Sequence, residues 1–207
     1  MSEDIKAPIL SYDDVRRRAD EFLARHHSSG TIPVPIEEIV EFDLGMDIVP
    51  TLGLHQLLDV DGFITSDVQE IWVDQFVYDS RPGRYRFTLA HEVGHSVLHA
   101  DIFRSCTFHS VGEWKAFVNS IPEKEHGWLE YQAYAFAGLV LVPRDQLATA
   151  VRGCVEKVKA EGIDLHENWD FAWTRIAAFI GKEFEVSSRV IEKRLEKDGL
   201  ASDIRDQ

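Results

Sequence analysis

The order of patterns along the chain predicts an α+β fold. Apolar residues recur at helical spacing near the start, strand-like runs cluster between Met46 and Asp74, and helical periodicity then holds to the end. Helices and strands kept apart, without βαβ alternation, define that class. No internal repeat or low-complexity tract interrupts the pattern.

The first helix opens at Ser11, and Asp14 three residues on makes a looser form of the Ser-x-x-Glu capping box. Val15, Ala19, Phe22 and Leu23 form its apolar stripe, and Gly30 closes the segment. Pro33 and Pro35 precede a short helix carrying Ile36, Ile39 and Val40. Four runs then read as strands: Met46-Asp47-Ile48-Val49, Gln56-Leu57-Leu58, Gly62-Phe63-Ile64-Thr65 and Glu70-Ile71-Trp72-Val73. Asp61-Gly62 and Ser66-Asp67 are turn signals between them. Arg81-Pro82-Gly83 breaks the strand region. Beyond it the pattern predicts a helix from about Tyr85 to Ala100, then mixed loop with some helix around Trp114 to Val118. A further helix from about Leu129 to Val142 stops at Pro143. From Asp145 onward the chain reads as helical, with Ile176, Ala177, Phe179 and Ile180, then Val190, Ile191 and Leu195, at core spacing. The expected division is a core of residues 1–144 and a helical segment of residues 145–207 packed on it.

The 207 residues carry a net charge of −14, with 44% hydrophobic and 28% charged residues. That is a globular composition, and acidity on this scale counts against holding nucleic acid on a broad basic surface. The start of the chain lacks the basic and apolar regions of a secretory signal. The longest apolar stretch, Ala133 to Val142, is well short of the ~20 residues a membrane span needs. Cys106 and Cys154 are too few for a disulfide framework, as suits a reducing compartment. A cytoplasmic protein without a membrane partner is therefore expected.

The chemistry concentrates in Phe87-Thr88-Leu89-Ala90-His91-Glu92-Val93-Gly94-His95-Ser96-Val97-Leu98-His99, which contains His-Glu-x-x-His. Residues four apart on a helix differ by only ~40° in azimuth, so His91 and His95 share one face and can reach one ion. Glu92 sits ~100° from His91, placed to act as a base beside an open coordination position. A catalytic zinc site of this kind has a third protein ligand. Asp101 stands six residues after His95, but Leu98 replaces the glycine that lets the chain turn back on a metal. Glu130 is the better candidate, a lone acid leading the otherwise apolar run Tyr131 to Pro143, where a charge needs a partner. An acid in a first helical turn also suits the helix dipole. Zinc suits two His and a carboxylate, and manganese is the alternative.

Arg86-Phe87-Thr88-Leu89-Ala90-His91-Glu92-Val93-Gly94-His95, Leu98-His99 and Glu130-x-x-Ala133-x-x-Phe136-Ala137 ending in Leu141-Val142-Pro143 together resemble the ImmA/IrrE metallo-endopeptidases. The resemblance covers roughly Met46 to Pro143, with Leu141-Val142-Pro143 standing where the family commonly has Leu-Met-Pro. It implies a minimal zincin-like peptidase core of helices and a small, mainly antiparallel three-stranded sheet. A C-terminal helical segment resembling a helix-turn-helix would follow it. It also implies that His91, His95 and Glu130 bind the metal and that Glu92 is the catalytic base of peptide hydrolysis. The implied substrate is a helix-turn-helix repressor, often encoded nearby, whose cleavage derepresses a stress, DNA-damage, mobile-element or anti-phage operon.

Several roles stay open on the residues alone. Tyr131, Tyr134, His109 and His126 are candidates for stabilising the oxyanion. His99, ~80° around the helix from His91, reads as a residue behind the ligands. Cys106 lies between the two metal-bearing helices, where a thiolate would fill the open position and keep the enzyme latent. Its alternative is a small buried apolar residue. Arg175 to Asp198 reads as helix, turn, helix with a net charge of only +1, too little for strong phosphate binding. Glu70 to Asp74 is a candidate sheet edge for an extended substrate. In some branches of the family single-stranded DNA is a candidate activating signal, and Arg16-Arg17-Arg18 with Arg25-His26-His27 is the basic cluster here. The competing functions are an antitoxin-like binding module without catalysis and a DNA-binding regulator.

Overall fold

A computed structural model describes residues 5–108, 110–162 and 169–200. Helix α1 (Tyr12–His26) starts at a reciprocal capping box, with the Asp14 amide donating to Ser11 Oγ and the Ser11 amide donating to the Asp14 carboxylate. Helix α2 (Ile36–Glu38) runs into a π-helical turn (Ile39–Asp43), which leads to β1 (Asp47–Thr51). Next come α3 (Leu54–Leu58), β2 (Gly62–Ile64), β3 (Glu70–Asp74) and α4 (Gln75–Ser80). The long α5 (Pro82–Leu98) is followed by α6 (Ala100–Arg104), α7 (Val111–Ser120) and the long α8 (Glu123–Leu141). Helices α9 (Arg144–Ala160), α10 (Trp169–Phe184) and α11 (Ser188–Lys197) complete the described chain. The fold is α+β, mainly helical around one small sheet.

The sheet departs from expectation in three ways. Its order is β1-β3-β2, with β1 parallel to β3 and β2 antiparallel to β3, so it is mixed and not mainly antiparallel. Gln56-Leu57-Leu58 is helix, not strand. Leucine favours helix, and the Asp74 carboxylate caps both neighbouring helices by accepting from the His55 amide of α3 and the Phe76 amide of α4. Finally, Glu70 to Asp74 is the central strand, bonded on both sides, so it offers no free edge. The edge on the β2 side belongs to Gly62–Ile64.

Helix α5 starts earlier than its apolar pattern suggests. Pro82 stands in its first turn, where a missing N–H leaves no bond unmade, so the apparent breaker initiates the helix. It packs along α8, with β2 and β3 against its other side. Thr88, Leu89, Ala90 and Val93 of α5 and Leu129, Ala133, Phe136 and Ala137 of α8 are buried in that layer. Residues 101–127 are more helical than expected, and α8 begins at Glu123, six residues before the anticipated start.

Helix α11 returns to this core. It buries Val190, Ile191 and Leu195, together with Arg194 at 3% exposure. The Arg194 guanidinium donates to the Val142 carbonyl at the end of α8 and to Tyr12 Oη of α1, and it pairs with Asp198 at 2.8 Å. Among the described residues no helix is long and apolar enough to cross a membrane.

Candidate metal centre

His91 and His95 project from one face of α5 toward Glu130 in the middle of α8. His91 Nε2 and His95 Nε2 lie 3.1 Å apart. Each also lies near a Glu130 carboxylate oxygen, at 3.3 Å for His91 and 3.4 Å for His95. Donor atoms bound tetrahedrally at ~2.0–2.1 Å from one ion stand ~3.3 Å from each other, so this spacing fits a shared metal. The chemistry agrees, because two imidazoles and one carboxylate form a zinc-type donor set. Among the described residues, this trio is the His/Cys/Asp/Glu group able to hold an ion. Asp101, at the start of α6, is outside it.

The electrostatics follow from burial and proximity. Burial works to raise the Glu130 pKa, but the His91 and His95 side chains outweigh it and hold that carboxyl well below the usual range. Burial disfavours charging His91, yet Glu130 and Glu92 prevail and raise its pKa. Glu92 is only 5% exposed. Desolvation pushes its carboxyl above the usual range, against the pull of both histidines and of the Ile64 backbone amide in β2. A carboxyl so raised sits closer to the pKa a proton-transferring base needs.

The trio opens into a cleft of about 530 Å³. Asp61 and Phe63 of the β2 side, Arg84 and Phe87 of α5, and His126 and Tyr134 of α8 are among its walls. Of the four oxyanion candidates, His126 and Tyr134 face this cleft, and His126 Nε2 stands 3.7 Å from a Glu130 oxygen. Tyr134 is held by the Phe87 ring at 4.8 Å between centroids and by the Lys193 ammonium 4.3 Å from its own centroid. Tyr131 borders a different groove, between α8 and α11. His109 lies outside the described residues.

The remaining expectations separate clearly. His99 is buried behind His95, its Nδ1 at 3.0 Å from His95 Nδ1. Cys106 is not brought into the metal group; its thiol neighbours Ser105 Oγ at 3.6 Å. In the basic cluster, Arg16 pairs with Asp13 and Asp198, and Arg17 pairs with Asp14, so both already serve the fold.

Two residues of the site escaped sequence reasoning. Arg84 forms a two-pronged pair with Asp61 at the cleft wall. Gln132, 1% exposed, donates from Nε2 to the Pro8 carbonyl and accepts at Oε1 from His99 Nε2. Its signal was present: a single amide in an otherwise apolar stretch, which burial obliges to find partners.

Two histidines on one helix turn and a carboxylate from the next long helix form a group that could hold a metal ion, with a buried acid beside them. Residues 76–196 match the family model of the IrrE N-terminal-like domain, the M78 peptidases, and the chain belongs to that family. The matched stretch includes His91, Glu92, His95 and Glu130 and extends into α11. No curated protein matches the chain. Among solved structures it is similar to a Mycobacterium tuberculosis transcriptional regulator, with 15% identity and a TM-score of 0.51. That alignment covers 88% of this chain and 46% of the other, so the chain spans less than half of that protein, and the likeness is one of fold.

Proposed function

We propose that the protein is a metal-dependent endopeptidase acting on a helix-turn-helix transcriptional repressor. The observation that carries this reading is the convergence of His91, His95 and Glu130 on one point, with Glu92 buried beside them and the cleft in front. His91 Nε2, His95 Nε2 and a Glu130 oxygen would hold the ion, zinc by preference and manganese as the alternative. When bound, the ion supplies Lewis acidity toward a peptide carbonyl and makes a water easier to deprotonate. Glu92 takes the proton of the attacking water and passes it to the leaving amine. Tyr134 and His126, both on the cleft wall, are the residues available to hydrogen-bond the carbonyl oxygen as it gains charge.

Strand β2 borders the cleft through Gly62 and Phe63 and is the sheet element beside which an extended segment of substrate can lie, orienting its peptide bond. A net charge of −14 attracts a basic DNA-binding substrate over distance. Cleavage would relieve repression of a stress, DNA-damage, mobile-element or anti-phage operon in the cytoplasm.

The test is incubation of wild type and Glu92→Gln with zinc or manganese and the helix-turn-helix proteins encoded beside its gene. Cleavage by wild type alone is expected. Equal cleavage by both proteins would refute the role of Glu92, and binding without cleavage by either would favour a sequestering module.

A further inference from the structure

Behind the ligand His95 runs a line of buried polar groups that the peptidase reading does not use. Gln132 Nε2 donates to the Pro8 carbonyl at 2.8 Å, which fixes the orientation of the amide. Its Oε1 therefore faces His99 Nε2, at 2.9 Å. A carbonyl oxygen only accepts, so His99 Nε2 carries the hydrogen. His99 is 1% exposed, and its two ring nitrogens meet a neutral amide and another imidazole, neither of which offers a negative charge, so the buried ring stays neutral. A neutral ring has one N–H, so His99 Nδ1 is bare. Two imidazole nitrogens 3.0 Å apart need one hydrogen between them, and it must come from His95 Nδ1. That leaves the lone pair of His95 on Nε2, the atom that meets His91 and Glu130.

We infer that Gln132 and His99 are positioning residues that lock His95 into the tautomer able to bind a metal, with the Pro8 carbonyl as the anchor of the relay. The inference rests on the metal reading above. It adds a particular design. Ligating histidines are commonly oriented by a carboxylate or a backbone carbonyl, whereas here a second neutral histidine does so and brings no charge into the core. The backbone of the N-terminal segment anchors it, because the Ala7 amide next to Pro8 is also tied to α8 through Glu125 at 2.8 Å.

The tautomers can be read without metal or substrate. In metal-free protein labelled with 15N-histidine, imidazole shifts are expected to place hydrogen on Nδ1 of His95 and on Nε2 of His99. Gln132→Met should abolish that single pattern. Zinc affinity, measured by competition with a chromogenic chelator, should fall about 10–100-fold in His99→Leu. His99→Asn can put Oδ1 where Nδ1 stands and should recover most of that loss. Packing alone predicts the reverse order, since leucine suits an apolar interior better than asparagine. Hydrogen on Nε2 of His95 in the wild-type spectrum, or zinc binding no weaker in the leucine variant than in the asparagine variant, would overturn the inference. Failure of wild type to bind zinc would instead refute the metal reading, and the spectrum would still decide the tautomer.

Discussion

Gly94 of α5 lies against Ala133 of α8 so closely that a methyl group on Gly94 would stand 3.1 Å from both the Cα and the carbonyl oxygen of Ala133. These two helices carry His91, His95 and Glu130, so their separation sets whether Glu130 reaches the histidines. Alanine in place of a helical glycine gains about 1 kcal/mol in propensity. Here the obstacles are backbone atoms, with Phe136 Cδ1 at 3.2 Å behind them, and overpacking of this kind costs about 1–3 kcal/mol. Gly94→Ala is expected to lower Tm and weaken zinc binding together, which thermal unfolding with and without zinc will show.

Removal of the third ligand should separate Glu130 from Asp101. Glu130→Ala is expected to lose stoichiometric zinc, while Asp101→Ala keeps it, because only Glu130 lies with the histidines. Metal analysis after gel filtration reads the difference. Equal retention by both variants would point the histidines to another partner.

The last helix offers a stability test. Arg194 and Asp198 form a pair whose side chains are 4% and 0% exposed. Arg194→Met leaves Asp198 with Arg16 as its remaining cation and strips the Val142 carbonyl of its guanidinium donor. Breaking a buried pair from one side costs about 3–5 kcal/mol, or on the order of 10 °C in Tm for a chain of this size. A shift of a degree or two would mean that α11 is only loosely attached.

The α1 cap predicts a pH dependence. Hydrogen bonds from Ser11, first its side chain and then its backbone, lower the pKa of Asp14 below its usual 3.8. A depressed carboxyl contributes stability above the unfolded-state value and loses it as pH falls through the folded-state value. Asp14→Asn should therefore lower the urea midpoint near pH 6, and its difference from wild type should shrink progressively as pH falls below 3.8.

The site was more legible than the sheet, and the reason is distance along the chain. His91, Glu92 and His95 obey one helical turn, and Glu130 announces itself as a charge opening an apolar run. Gln132 meets His99 across 33 residues of sequence, a pairing that no periodicity encodes. The parallel pairing of β1 with β3 was hidden likewise, because successive strand-like runs separated by turns suggest hairpins. Gln56 to Leu58 misled because short apolar runs have no period, and the cap that decides for helix comes from Asp74. Pro82 misled because a residue that ends helices inside also begins them.

The edge beside the cleft is only three residues long, Gly62–Ile64, which spans ~10 Å of backbone. So short a rung holds a loose peptide weakly and inspects almost none of its sequence. On the proposed reading, discrimination falls to the folded surfaces of enzyme and target. Nascent chains and misfolded debris would slip away uncut, and an active copy could remain in the cell without eroding the bulk proteome.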